Sequence, residues 1–141
     1  MITLPAFKKI PGTENKPTTV LYKEIFKLFL KGDLSFGFLV RAVHHEMAHI
    51  KLFEGKIAKF GTVTTGSSAC TAVHETIAGY LELTESNLLL PEATASEKLS
   101  RAKGYRKEYN KITNVYWKDF LKYMADFFDK LIKKLSKQPK K

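Results

Sequence analysis

His45-Glu46-Met47-Ala48-His49 restricts this chain more than any other five residues in it. Two imidazoles four positions apart on a helix share one face, about 5–6 Å apart, and can grip one ion together. Glu46 sits beside that pair, where it can hold a water bound to the same ion. The chain has four histidines, His44, His45, His49 and His74. Three stand in this stretch and the fourth precedes Glu75. The chain must therefore carry the stretch on a helix and bring a second element back to it.

The flanking pattern agrees with a helix. Phe38, Leu39, Ala42, Val43, Ile50 and Phe53 form an apolar stripe, and His45 and His49 continue the line of Phe38 and Ala42. Asp33 or Ser35 can cap this helix, and Gly55 is its expected stop, with a continuation towards Gly61 as the alternative. Upstream, Met1 to Lys16 reads as irregular, with a short extended piece at Ile2 to Leu4. A first helix is expected over about 18–31, capped at Thr18 or Thr19 and ended at Gly32. Residues 61–68, Gly-Thr-Val-Thr-Thr-Gly-Ser-Ser, suit a loop or a short edge strand. A third helix, over about 69–89, is capped at Ser67 or Ser68 and carries Val73, Ile77, Tyr80, Leu81 and Leu88 inward, with Pro91 as terminator. Thr94 and Glu97 then form a capping box. A single stripe runs on from Leu99 through Tyr105, Ile112, Phe120 and Phe127 to Leu135, with Gly104 and Asn114 as the candidate breaks. The expectation is a mainly α fold of four helices with a long last one, and a short strand or hairpin near residues 56–65. Residues 1–136 read as one domain and 137–141 as a disordered basic tail.

Composition narrows the chemistry. At 141 residues the chain can bury a real core. Cys70 is the only cysteine, so neither an internal disulfide nor a thiolate zinc cluster is available. Any metal must be held by imidazole and carboxylate. No apolar run approaches the ~18 residues that span a bilayer, and Met1 to Lys16 lacks the pattern of a secretory signal. The expected location is the cytoplasm, or outside it by a route without a cleaved Sec signal. The net charge of +10 is uneven: residues 1–96 carry +1 and residues 97–141 carry +9. That basic last helix is either a solvated lysine-rich face or a surface for nucleic acid, an anionic membrane or an acidic partner. The oligomeric state is not legible.

A catalytic zinc takes three protein ligands and keeps a fourth position open. Glu75 is the expected third ligand, 26 residues after His49 and far enough for the third helix to fold back beside the second. Ala78 and Gly79 would permit close packing there. His74 and Glu82 are its rivals, Glu82 sharing Glu75's helix face at a spacing of seven. In this arrangement Glu46 takes the proton of the attacking water and passes it to the leaving amine. The developing oxyanion needs a donor besides the metal, for which Tyr80 and His74 are nearest, with Tyr105 and Tyr109 able to reach from the last helix.

Through His45, Glu46, His49 and Glu75 the chain resembles the zincin metallopeptidases, in particular the gluzincin branch, where H-E-x-x-H is followed by a glutamate on a later helix. The resemblance covers about residues 38–83. It implies Zn2+ held by His45, His49 and Glu75, Glu46 as general base, and a peptide or protein substrate. No glycine and third histidine follow His49, which sets the metzincin branch aside. The Glu-x-x-Ala-x-Tyr pattern of Glu75, Ala78 and Tyr80 also resembles small peptidase-like domains at the ends of bacterial polymorphic toxins. Glu46 to His49 is equally the Glu-x-x-His of ferritin-like di-iron bundles, with Glu24 and either Glu75 or Glu82 as further carboxylates. No histidine follows His74, so a symmetric di-metal site would be incomplete. A basic helical binding module without chemistry is the third reading.

Overall fold

The structure, a computed structural model, describes residues 2–4, 18–20, 23–55, 68–85 and 94–137. Within them the fold is mainly helical. Two short strands, β1 (Ile2–Leu4) and β2 (Thr18–Val20), precede six helices: α1 (Lys23–Leu30), α2 (Phe36–Phe53), α3 (Ser68–Glu85), α4 (Ala95–Asn110), α5 (Val115–Phe120) and α6 (Lys122–Ser136). The expected hairpin near 56–65 and the tail beyond Lys137 lie outside the described residues.

Two expectations need correction. The first helix does not begin at Thr18. Thr18, Thr19 and Val20 are β-branched, and they pair antiparallel with Ile2–Leu4 in the register Ile2↔Val20. The extended piece at Ile2–Leu4 is thus one half of a ribbon that packs against α2. The last helix is not one long helix but three, so the four-helix count becomes six among the described residues. Asn114 is the first break. Its side chain accepts the amide of Trp117 at 3.1 Å and caps α5. The second break is at Leu121, which is fully buried. Gly104, the other candidate, lies mid-helix in α4 with open space where a Cβ would be.

The stops of α1 and α2 agree with the glycines. Gly32 (φ 82°) and Gly55 (φ 70°) take the left-handed conformation that ends a helix without a Cβ penalty. Ser35 caps α2 by accepting the amide of Phe38 at 3.0 Å, and the Thr94–Glu97 capping box starts α4.

Cross-helix contacts give the directions. His49 meets His74, His45 meets Glu75 and Arg41 meets Glu82, so α2 and α3 run antiparallel. Gly79 meets Tyr105 and Glu82 meets Arg101, so α4 is antiparallel to α3 and parallel to α2. The apolar core lies on the far side of α3, where Ile77, Ala102, Tyr105, Ile112, Leu121, Met124 and Phe128 pack together. No helix among the described residues is long and apolar enough to cross a membrane.

Candidate metal centre

Helix α2 presents His45 and His49 to α3 one turn apart, and α3 answers with Glu75. The Nε2 atoms of the two histidines are 3.1 Å apart. His45 Nε2 is 3.1 Å from Glu75 Oε2, and His49 Nε2 is 3.1 Å from Glu75 Oε1. Both rings therefore turn the same nitrogen towards one carboxylate. A tetrahedral ion with bonds of ~2.0–2.1 Å places its ligand atoms ~3.3 Å apart. The two Nε2 atoms stand near that spacing from each other and each from one Glu75 oxygen, and the three residues offer ligand atoms within 4.8 Å of one another. Among the described residues this is the group of histidine, cysteine and carboxylate side chains able to hold a metal. His45 and His49 are buried, whereas the Glu75 side chain is 32 % exposed. Solvent reaches the cluster from the Glu75 side, as an open coordination position requires.

The two rivals of Glu75 sit behind the histidines. His74 places its Nδ1 2.7 Å from His49 Nδ1, and the two rings stack. Glu82 Oε1 is 3.2 Å from His45 Nδ1. Both contact the nitrogens turned away from the convergence point. Glu75, the expected third ligand, and Glu82 share a helix face, and the rotation of the His45 ring puts Glu75 on Nε2 and Glu82 on Nδ1. Glu24, a carboxylate of the di-iron reading, is exposed on α1. The group gathered here has one carboxylate, fewer than such a bundle uses.

Glu82 is fully buried and heavily engaged. Arg101 donates to both of its oxygens, through Nε at 2.7 Å and through an Nη2 contact to Oε1. Tyr105 donates its hydroxyl to Glu82 Oε1 at 2.6 Å and lies 3.0 Å from His45 Nδ1. The Tyr105 ring also stacks on His45, with centroids 5.3 Å apart. The sequence reading placed Tyr105 within reach of the site but did not single out Arg101, whose only signal was its place one turn before Tyr105 on the stripe of α4. Gly79 was expected to bring α3 close to α2. Its role is with α4 instead: a Cβ there would overlap the Tyr105 ring, so only glycine lets that ring lie on α3.

Of the expected oxyanion donors, His74 is in the cluster and fully buried. Tyr80 turns to α6, packing edge-on against Tyr123 and Phe127. Tyr109 donates to the Lys118 carbonyl at 2.6 Å and braces the last turn of α5. Glu46 follows His45 on α2, is 9 % exposed and lies outside the three-ligand group.

The charges are strongly coupled. Burial disfavours the His45 imidazolium, but Glu75 and Glu82 outweigh it and raise its pKa to about 9. Burial would raise Glu75, yet hydrogen bonds and charge from His45 and His49 hold it far below the ordinary carboxylate value. Glu82 is likewise lowered, against its burial, by Arg101 and His45. Burial first, and then the Glu82 charge, keep the Tyr105 phenol protonated. No family model, curated protein or solved structure matches the chain. The site stands on its own geometry.

Proposed function

We propose that the chain is a small zinc-dependent hydrolase that cleaves peptide bonds, of the zincin kind. The observation that carries this reading is the convergence of His45 Nε2, His49 Nε2 and Glu75 on one point, with Glu46 next to His45 along α2 and outside the ligand set. Two neutral imidazoles and one carboxylate are a ligand set of catalytic zinc. A zinc held there supplies a Lewis acid for the scissile carbonyl and lowers the pKa of a coordinated water. The rest falls to the chain's own groups. His45 and His49 hold their Nε2 lone pairs towards the site. Glu75 adds the negative charge that favours a dication. Glu46 takes the proton of the attacking water and returns it to the leaving nitrogen. The substrate is a peptide or protein, entering from the side on which Glu75 meets solvent.

Elemental analysis together with a casein-type cleavage assay tests the reading. About one zinc per chain is expected, lost in both His45→Ala and His49→Ala. Glu46→Gln is expected to keep the zinc and lose hydrolysis by at least ~100-fold. A purified chain that takes up no metal, or a Glu46→Gln protein that still cleaves at the wild-type rate, sinks the proposal.

A further inference from the structure

We propose that Tyr105 and Glu82, braced by Arg101, are positioning residues that fix His45 with its proton on Nδ1 and Nε2 free to face a metal. The proposal rests on the metal-site reading above and adds to it a set of residues from α4. Imidazole has two nitrogens, and a ligand histidine must present the unprotonated one. What decides between them is the partner of the other nitrogen. At His45 Nδ1 that partner can only accept. Glu82 is an ionised carboxylate clamped by Arg101 through both oxygens, so it has no proton to give. The Tyr105 proton is committed to Glu82 Oε1 at 2.6 Å, which leaves the phenol's lone pairs for His45 Nδ1 at 3.0 Å. Every acceptor at Nδ1 demands a proton there, so the nitrogen that loses its proton when a metal binds is Nε2, which faces Glu75 at 3.1 Å.

The ring is also fixed sterically. Tyr105 lies nearly parallel to His45, at 16°. It can do so because Gly79 has no Cβ beneath it. His49 has no such arrangement. Its Nδ1 faces the Nδ1 of His74, a ring able to donate or accept. The tyrosine and its carboxylate therefore act on one ligand of the three.

The test measures zinc affinity by competition with a chromophoric chelator and, independently, the His45 Nδ1–H resonance by 1H–15N NMR. Tyr105→Phe keeps the ring on Gly79 and removes only the hydroxyl. It is expected to weaken zinc binding about tenfold, and Glu82→Gln by up to ~100-fold, the range seen when the outer hydrogen bond of a ligand histidine is removed. Tyr109→Phe, whose hydroxyl bonds to Lys118 far from the site, is expected to change neither readout. Melting curves confirm that each variant is folded at the assay temperature. The resonance needs no metal: a downfield, slowly exchanging Nδ1–H is expected in metal-free wild type and is displaced in Tyr105→Phe. Equal zinc affinity in Tyr105→Phe and wild type overturns the proposal, as does a His45 Nδ1–H untouched by that substitution. If wild type binds no zinc, the hydrolase reading fails on its own, and the resonance still decides the proton's place.

Discussion

The two faces of α3 are built from opposite materials. Towards α2 it presents His74, Glu75 and Glu82, three ionisable groups set against His45 and His49, while Arg41 donates to the Glu82 main-chain carbonyl and the Glu82 carboxylate also reaches Arg101 and Tyr105 of α4. Towards α4 and α6 it presents Ile77 and its neighbours to an apolar core filled by Phe128, Leu121 and Met124. Burial on the second face is favourable without conditions, at ~25 cal/mol per Å2 of apolar surface. Burial on the first face costs desolvation at every group and is repaid only where each partner is present. The apolar side is therefore where stability comes from. The polar side is held in place by it and is tuned for something other than stability.

Substitutions can break this contrast. Phe128→Ala removes a fully buried ring from the apolar face, and a loss of about 3–5 kcal/mol is expected in urea unfolding. If the loss is under ~1 kcal/mol, the core is not where the fold is anchored. Gly79→Ala strikes where the two faces meet, because its Cβ overlaps the Tyr105 ring. Expected are a loss of about 1–3 kcal/mol and weakened metal uptake together. Stability lost with metal affinity intact would separate the faces more cleanly than the structure does.

The polar face should respond to pH and the apolar face should not. His45 holds its proton more tightly folded, at about 9, than at its ordinary 6.5. Its contribution to the metal-free protein is present below about 6.5 and is lost as pH rises through about 9. Glu75 is shifted the other way from 4.5: its contribution is present above that value and fades as pH falls towards the lower folded one. Melting temperature in a chelating buffer is thus expected to fall between pH 6.5 and 9.5, less so in Glu75→Gln. Zinc uptake has the opposite sign, since the ion must displace the His45 proton, and apparent affinity should climb with pH until about 9. The smallest effect expected is that of Asp129→Asn, which breaks the 2.9 Å pair of α6 with Arg106. Asp129 is more than half exposed, so solvent screening limits the loss to roughly 0–1 kcal/mol in the same unfolding assay.

How much of this the chain announces depends on how local the cause is. The helix under His45 and His49 was legible because its period spans four residues and its cap and stop lie in the same stretch. Glu75 was legible as the favoured ligand by type and distance, but the place of Glu82 behind His45 was not, because it lies in the rotation of one imidazole ring. Tyr105 showed as a stripe aromatic within reach of the site, but not as the partner of Glu82 and His45, because its hydroxyl finds them across two other helices. The β1–β2 ribbon was half seen: Ile2–Leu4 reads as extended, but its partner, Thr18–Val20, lies fourteen residues beyond Leu4 and reads locally as a helix start. The break at Asn114 was legible from its capping residue type, whereas the one at Leu121 was masked by the stripe itself, which keeps its steps of three and four across Ile112, Tyr116, Phe120 and Tyr123.

The carboxylate of Glu97 has a consequence beyond capping. Its Oε2 accepts from Thr94 N at 3.0 Å and from Ser35 Oγ at 2.8 Å, and Ser35 is itself the cap of α2. Two parallel helices thus start from a common origin, and Arg101 over Phe38, 5.1 Å from its centroid, keeps them abreast one turn on. At ~1.5 Å per residue, His45 lies ~15 Å along α2 from Ser35, and Tyr105 lies ~12 Å along α4 from Glu97. The serine and the glutamate work as the zero mark of a ruler that brings a histidine and a tyrosine to the same height. One residue deleted between Ser35 and His45 would turn the histidine pair by ~100° while leaving every helix intact.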